Sequence, residues 1–297
     1  MNKKYILLVV LVLFIVSVPF IIINNIPSKE IEEIEIDNSI DYSEIETLNL
    51  DLHSKGYLLI RLNDFKALYG EKYDRIMYPA SLTKVVTMNT VLNTVKNLDD
   101  TSYFTKEQYT ELIKQNASVA GLTPNANYSI KDLLYYLILP SGADAAIALE
   151  NYFQKNGLNL IDEMNKRCSE LGLEKSHFTN STGLHDDNLY TTLKDLSIVY
   201  IDTLNNNLGK QILKTTYSSQ LDLYSSFYSF TTNRDDDILI YGGKTGYTDE
   251  SRQDIIIFYE ADNRSYILLL YGADGNPGRG EKYHFDDANM ILDYLYN

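Results

Sequence analysis

The stretch Pro79-Ala80-Ser81-Leu82-Thr83-Lys84 places a serine hydroxyl and a lysine amine three positions apart. A helical pattern runs on from it, from Ser81 to about Asn97. Positions i and i+3 of a helix lie on one face, so we expect Ser81 and Lys84 to point into the same space. Ser81 would stand near the helix N-terminus, where unpaired backbone N–H groups and the helix dipole favour negative charge. This arrangement is typical of a serine activated to attack a carbonyl carbon.

Two further short motifs follow in order along the chain. Ser141-Gly142-Ala143-Asp144 lies between two predicted helices, and Lys244-Thr245-Gly246 is flanked by strand-like runs. Ser-x-x-Lys alone is a weak signal, because chance produces it on the order of once in a chain of this length. The ordered set S-x-x-K, S-D-N and K-T-G is the signature of penicillin-binding proteins and class A β-lactamases.

The chain resembles the low-molecular-mass penicillin-binding proteins of the serine-type D-alanyl-D-alanine carboxypeptidase family. The similarity extends from about Tyr57 to Tyr259 and includes Phe178-Thr179-Asn180-Ser181-Thr182-Gly183-Leu184-His185-Asp186, which resembles the family's Asn-x-x-Gly-Leu segment. The resemblance implies an α/β (α+β) fold of the β-lactamase/transpeptidase-like class: an antiparallel sheet flanked by helices, with an inserted helical subdomain. The order of the patterns agrees, because strand-like runs at both ends enclose a helical middle.

The resemblance assigns catalytic roles to four residues. Ser81 is the candidate nucleophile, and its weakly acidic hydroxyl needs a base to take the proton. Lys84 is the candidate base and has to lose its charge, through burial and nearby positive charge. Lys244 is expected to supply that charge and to donate to Ser141, which completes a proton path to the leaving amine.

The same resemblance implies a set of substrate-binding groups. The Thr245 hydroxyl would bind a terminal carboxylate, and Gly246 on an edge strand would let a substrate backbone approach closely. The backbone N–H groups of Ser81 and Tyr247 would form the oxyanion hole, in which one donor is worth about 3 kcal/mol. Arg234 resembles an arginine that some relatives use for the carboxylate.

One position departs from the family pattern. The second motif is usually Ser-x-Asn, and Ala143 occupies the third slot. An asparagine there would hold the lysine and the carbonyl of the substrate, and alanine can do neither. Either another group makes these two contacts, or the catalytic activity is modest. Asp144 follows directly and is expected to face the next helix.

The function predicted from these residues is removal of the terminal D-alanine from peptidoglycan stem peptides that end in D-Ala-D-Ala, through an acyl-enzyme on Ser81. β-Lactam antibiotics would be covalent inhibitors. One alternative is a serine β-lactamase, although the chain lacks the Glu-x-x-Leu-Asn pattern that supplies a deacylating base. The other is a non-catalytic penicillin-binding or sensor module, which Ala143 alone supports.

Composition narrows the remaining classes of function. The net charge of −15 over 297 residues argues against nucleic acid as a partner, because phosphate binding needs clusters of Lys and Arg. The single cysteine, Cys168, lies in a helical pattern and is interpreted as a packed thiol rather than a nucleophile. The histidines show no metal-ligand spacing, and the loop with His185, Asp186 and Asp187 is interpreted as structural. We therefore expect neither a metal nor a cofactor.

The N-terminal segment predicts attachment to a membrane. Tyr5 to Ile23 is an almost unbroken apolar run behind Lys3 and Lys4, long enough to span a bilayer with the following domain outside the cell. Residues 1–24 are thus predicted to be an uncleaved anchor, with a cleaved signal peptide as the alternative. Residues 25–47 are predicted to be an acidic linker, and residues 48–297 to be the extracytoplasmic peptidase domain.

Overall fold

An antiparallel five-stranded sheet is the framework of the computed structural model, which describes residues 40–231 and 237–296. The strands in chain order are β1 (Gly56–Arg61), β2 (Lys66–Glu71), β3 (Thr101–Ser102), β4 (Tyr128–Ser129), β5 (Tyr217–Ser218), β6 (Leu223–Tyr224), β7 (Leu239–Thr248), β8 (Arg252–Ala261) and β9 (Arg264–Ala273). The sheet has the order β2-β1-β9-β8-β7, and the short strands form the pairs β3–β4 and β5–β6. The third sequence motif lies within β7, at one edge of the sheet.

The helices lie mostly between β2 and β7 in the chain. They are α1 (Thr83–Thr94), α2 (Lys106–Lys114), α3 (Ile130–Ile138), α4 (Ala143–Lys155), α5 (Leu160–Glu170), α6 (Leu193–Asn205), α7 (Asn207–Leu213), α8 (Tyr228–Thr231) and α9 (Tyr283–Tyr296). A 3₁₀ turn, Ala80–Leu82, precedes α1, so the predicted helix at Ser81 begins as a tighter turn. The predicted fold of a sheet flanked by helices, with a helical insertion, is confirmed.

The sheet divides the interior into two cores. Side chains alternate between the two faces of a strand, so neighbours along β8 enter different cores. Ile255 and Ile257 pack with Ile291 of α9 on one face. Ile256 and Phe258 pack with the helical layer on the other face. Burial on both faces explains the continuous apolar runs Ile255–Tyr259 of β8 and Tyr266–Tyr271 of β9, since a sheet covered on one side only would show polar alternation.

The helix behind the first motif lies at the centre of the helical layer. In α1, Val85, Val86, Met88 and Val91 are all buried, and the helix contacts α3, α5 and α6. A helix that is buried all around cannot be placed by an amphipathic stripe, and it is held by its neighbours instead. Its N-terminal end is thereby fixed beside the edge of the sheet.

The loop of residues 178–184 is fastened to three helices. Asn165 of α5 bonds both the N–H and the carbonyl of Phe178, at 2.9 and 2.7 Å. The Thr87 hydroxyl of α1 donates to the carbonyl of Ser181 at 2.8 Å, and the Ser181 hydroxyl donates to Glu150 of α4. Because each contact comes from a different helix, the loop is held against the start of α1.

The globular domain begins earlier than the predicted residue 48. Asp41 and Glu46 form backbone bridges with Lys66 and Tyr69 of β2. Ile45 and its neighbours Ile40 and Tyr42 pack against the core of the helical side. Isolated apolar residues among acids resemble a solvated spacer in the sequence, but here they cover one side of the domain. Residues 40–47 therefore belong to the domain rather than to the linker.

The predicted anchor, residues 1–24, and most of the predicted linker lie outside the described residues. Within 40–231 and 237–296, none of the helices combines the length and apolar character that crossing a bilayer requires.

Gly183 generates a testable prediction for the loop of residues 178–184. Its φ is +79°, and a β-carbon there would lie 1.8 Å from the carbonyl oxygen of Ala80. Gly172 has a similar φ of +71° with nothing within 4 Å of such a carbon, so Gly172→Ala isolates the conformational penalty. We expect Gly172→Ala to lower the free energy of unfolding by about 1 kcal/mol and Gly183→Ala by about 2 kcal/mol more. Urea unfolding of both variants measures this, and equal losses would contradict the close contact.

Candidate active site

The three motifs meet around one cavity of about 560 Å³. It lies between the β7 edge of the sheet, the 3₁₀ turn and the helical layer. Six of the predicted site residues line it: Ser81, Lys84, Ser141, Thr245, Gly246 and Tyr247. Lys244 is fully buried next to the cavity and reaches it through its contact with Ser141.

The first motif forms an amine–hydroxyl pair. Lys84 Nζ lies 3.0 Å from Ser81 Oγ, which confirms the shared face predicted from their spacing. A second acceptor, the carbonyl of Thr182, lies 2.5 Å from the same amine. Ala80 precedes the serine with φ +45°, a conformation that L-residues adopt at a cost of about 1 kcal/mol or more. The surrounding packing therefore fixes the serine in a strained turn.

The second and third motifs form another pair of the same kind. Lys244 Nζ donates to Ser141 Oγ at 2.9 Å and to the carbonyl of Thr245 at 2.8 Å. Ser141 also has a left-handed backbone, with φ +63°. Strained backbone conformations of this type cluster at functional sites, because the fold has to hold them in place. The predicted contact between Lys244 and Ser141 is thus present.

Burial strongly changes the protonation of both amines. It lowers the pKa of Lys84 to about 7, although the Asp144 carboxylate opposes the change. Burial, together with the charge on Lys84, lowers the pKa of Lys244 well below its ordinary value. Two buried ammonium ions near each other repel, and burial removes the hydration of each. A pKa of about 7 means that a large fraction of the Lys84 amine next to Ser81 is neutral at neutral pH.

Ala143 has no polar side chain that could contact Lys84, and a main-chain carbonyl makes such a contact from elsewhere. Ala143 is buried and lines the cavity, where it offers no polar side chain. The Lys84 amine donates instead to the carbonyl of Thr182. The Asn180 side chain accepts from the N–H groups of Thr182 and Gly183, at 3.1 and 2.7 Å, and so shapes the turn that presents this carbonyl to Lys84.

Asp144 faces a loop rather than the next helix, which corrects the expectation for this residue. Its buried carboxylate accepts from the backbone N–H groups of Ala120 and Leu122, at 2.8 and 3.0 Å. Removing a carboxylate that satisfies buried N–H groups leaves them unpaired, so this contact fixes the loop between α2 and α3. Asn116 and Ser118 of that loop line the cavity.

The β7 edge approaches the nucleophile closely. A β-carbon on Gly246 would lie 3.3 Å from the backbone nitrogen of Ser81 and 3.1 Å from the carbonyl oxygen of Pro79. Because Gly246 has no side chain, β7 can lie directly against the 3₁₀ turn. This packing role is separate from the predicted role of Gly246 toward a substrate. The Thr245 hydroxyl is 3.0 Å from Ser226 Oγ at the open side.

Two predicted site residues remain, Tyr247 and Arg234. The Tyr247 hydroxyl donates to Asp249 at 2.8 Å, so that side chain is occupied, and its predicted role uses only the backbone. Arg234 lies outside the described residues.

Two candidates outside the motifs remain, Cys168 and the loop with His185. Cys168 is buried, and burial raises the pKa of its thiol to about 12, which confirms a packed and unreactive group. The ring of His185 lies 3.4 Å from Asp187 and 3.8 Å from Glu250. Throughout the described ranges, 40–231 and 237–296, no three His, Cys, Asp or Glu side chains are grouped in a way that would hold a metal.

Several cavity groups were not predicted from the sequence, among them the Thr182 carbonyl, Ser226 and Asn116. The carbonyl has no side-chain signature, although the Asn180–Gly183 turn pattern indicates a fixed loop at that place. Ser226 lies in a Tyr-, Phe- and Ser-rich stretch that indicated no element. For Asn116 the sequence offers no signal.

Comparisons with known proteins agree with this geometry. The peptidase family S11, described as D-alanyl-D-alanine carboxypeptidase, matches residues 43–275. The chain is 26% identical over 269 residues to D-alanyl-D-alanine carboxypeptidase DacF of Bacillus subtilis, across 84% of this chain and 64% of that protein. It is 27% identical over 248 residues to D-alanyl-D-alanine carboxypeptidase DacA of Haemophilus influenzae, across 76% of this chain and 58% of that protein. The chain thus spans less than two thirds of either relative.

A solved structure shares the architecture. The Streptomyces K15 DD-transpeptidase superposes with a TM-score of 0.72 at 23% identity, over 83% of this chain and 98% of that one. This likeness confirms the transpeptidase-like fold. Because the family match extends over most of the chain, the protein belongs to peptidase family S11, the D-alanyl-D-alanine carboxypeptidases.

Proposed function

We propose that this chain is a membrane-anchored, extracytoplasmic serine carboxypeptidase that removes the terminal D-alanine of peptidoglycan stem peptides. The observation that carries the proposal is the 3.0 Å contact between Ser81 Oγ and the buried Lys84 amine, whose pKa burial lowers to about 7. A serine becomes a nucleophile when a base takes its proton, and this amine is in place to do so.

The acylation step follows from that contact. The neutral Lys84 amine accepts the Ser81 proton while Oγ attacks the carbonyl carbon of the penultimate D-alanine. The carbonyl oxygen becomes an oxyanion, for which the backbone N–H groups of Ser81 and Tyr247 are the proposed donors. The approach of Gly246 to the backbone nitrogen of Ser81 supports this placement of the two donors.

The leaving group then needs a proton. As the C–N bond breaks, the Ser141 hydroxyl passes a proton to the departing D-alanine amine and takes one from Lys244, which lies 2.9 Å away. The proton that Lys84 took from Ser81 replaces the one that Lys244 donates, so both amines return to their starting state. This leaves an ester between the substrate carbonyl and Ser81.

Water attacks the ester carbon while the neutral Lys84 amine takes a proton from that water. The bond between the acyl carbon and Ser81 Oγ then breaks, and Lys84 returns the proton to Oγ, which restores the serine hydroxyl and frees the shortened peptide. β-Lactams would acylate the same serine and leave it slowly.

Recognition of the terminal carboxylate is assigned to the open side of the cavity. Thr245 and Ser226 present two hydroxyls 3.0 Å apart there, and the adjacent Lys244 amine adds positive charge when it is protonated. A carboxylate accepts hydrogen bonds from hydroxyls and favours the charged lysine. Arg234 stays a proposed further contact.

The first test is release of D-alanine from a peptide ending in D-Ala-D-Ala, with Ser81→Ala as the control. We expect the full chain to release D-alanine and Ser81→Ala to lose activity by at least about a thousandfold, as other enzymes do when a nucleophile is removed. Fluorescent penicillin should label only the chain with Ser81. Labelling without release would indicate a sensor, rapid penicillin turnover would indicate a β-lactamase, and equal release by both proteins would contradict the mechanism.

The second prediction concerns pH. A base acts only when it is neutral, so acylation should rise with pH as Lys84 passes its pKa of about 7 and should level off above it. Below that value the rate should fall about tenfold for each pH unit. The measurement is the second-order rate of penicillin labelling between about pH 5 and 9, with Ser81→Ala as background at each pH. A rate that does not vary over this range would exclude a titrating amine base.

The third prediction concerns the anchor. The apolar run Tyr5 to Ile23 with its basic flank supports insertion with the domain outside. We expect the full chain to stay with membranes after alkaline carbonate washing, whereas a variant without residues 1–24 is released. External protease should reach the domain in intact protoplasts. Recovery of the full chain in the wash, or loss of its N-terminal residues on export, would refute an uncleaved anchor.

A further inference from the structure

The loop that follows α2 is docked onto the second sequence motif. The carbonyl of Ser118 accepts from the N–H group of Ala143 at 2.8 Å. Two residues further on, the N–H group of Ala120 donates to the buried Asp144 carboxylate at 2.8 Å. Residues 118–120 therefore lie directly along the segment in which the family's asparagine would stand.

Gly142 gives this loop the room that it needs. A β-carbon on Gly142 would lie 2.7 Å from the β-carbon of Ala120 and 2.8 Å from the carbonyl oxygen of Tyr136. Both distances are shorter than packed atoms tolerate, so a side chain at this position would push the loop away from the start of α4. The close fit fixes the place of the loop beside the cavity.

Asn116 brings a side-chain amide to the cavity next to Ala143. It lines the cavity together with Ser118, Ser141 and Ala143. Two residues of chain span at most about 7 Å, so Asn116 stays close to the contact between Ser118 and Ala143. Within the part of the chain that the structure describes, the Asn116 amide has no hydrogen-bond partner, whereas the Ser118 hydroxyl donates to the carbonyl of Pro140 at 3.4 Å.

The backbone at Asn116 offers a way to separate its amide from its place in the fold. Asn116 follows the end of α2 with a left-handed backbone, φ +53°. Glycine adopts this conformation without a side chain, so the helix end itself does not require the amide. Asn125 of the same loop is a matched case: its φ is +63° and it is exposed, but it does not line the cavity.

The amide supplies what Ala143 lacks toward a substrate. The asparagine of the family pattern has two contacts, one to the lysine and one to a carbonyl of the substrate. In this chain the Thr182 carbonyl already accepts from Lys84. The contact to the substrate carbonyl is the one that is left, and the N–H group of a primary amide is a donor suited to it.

We propose that the side-chain N–H of Asn116 donates to the peptide carbonyl that precedes the penultimate D-alanine of the substrate. The inference rests on the proposed function, since it names a contact of that same substrate. The two contacts of one asparagine are thus divided between two loops, with a main-chain carbonyl for the lysine and a side chain for the substrate. A ligand without an acyl group at this position does not use Asn116.

The test compares acylation of Ser81 by two penicillins, measured by competition against fluorescent penicillin. Benzylpenicillin has an acylamino carbonyl in the place of that peptide carbonyl, whereas 6-aminopenicillanic acid has a free amine there. We expect Asn116→Gly to slow acylation by benzylpenicillin about fivefold or more, the loss of one hydrogen bond, and acylation by 6-aminopenicillanic acid less than about twofold. The matched control Asn125→Gly should change neither rate by more than about twofold.

The outcomes separate this inference from the proposed function. Equal slowing with both penicillins in Asn116→Gly would show a structural role and overturn the inference. Unchanged rates in Asn116→Gly would overturn it as well, and in both cases release of D-alanine by the wild-type chain would leave the proposed function intact. A wild-type chain that neither penicillin acylates would refute the proposed function, and the inference with it.

Discussion

The site depends on two lysine amines that are kept out of water, each against a serine hydroxyl. Lys84 faces Ser81, and Lys244 faces Ser141. An exposed lysine is charged and hydrated and is no base at neutral pH, so the burial of these amines creates the chemistry. The rest of the fold holds these two pairs together, with both amines buried and one side of the cavity open.

Three parts of the fold meet this requirement. The apolar packing around α1 buries Lys84 among helices. The edge strand β7 carries Lys244 and lies against the 3₁₀ turn, where Gly246 leaves room. The loop of residues 178–184, tied to α1, α4 and α5, supplies the Thr182 carbonyl to the Lys84 amine. Ala80 and Ser141 have left-handed backbones, so the packing around both motifs holds strained conformations in place.

The sequence predicted the fold and most of the site, for reasons that differ from residue to residue. The contact between Ser81 and Lys84 is local and follows from helix geometry. Lys244 and Ser141 lie far apart in the chain, and only the ordered motifs of the resemblance connected them. The contact of the Thr182 carbonyl could not be predicted from the sequence, because every residue has a main-chain carbonyl and the residue type does not show which one makes a contact. Residues 40–47 were assigned to the linker because they continue the acidic stretch from Glu30 to Glu46, whereas their apolar side chains pack against the core.

The buried amines also link the cleft to the folding of the whole protein. Both lysines bind a proton more weakly in the folded chain than at the ordinary value of 10.5, so the unfolded chain holds more protons between about pH 7 and that value. Folding in this range releases protons, and the native state gains stability as the solution becomes more alkaline. An anionic ligand that lets Lys244 recover its charge reverses part of this effect. Occupation of the cleft is therefore coupled to proton uptake from the medium, and ligand affinity and conformational stability respond to acidity in opposite directions.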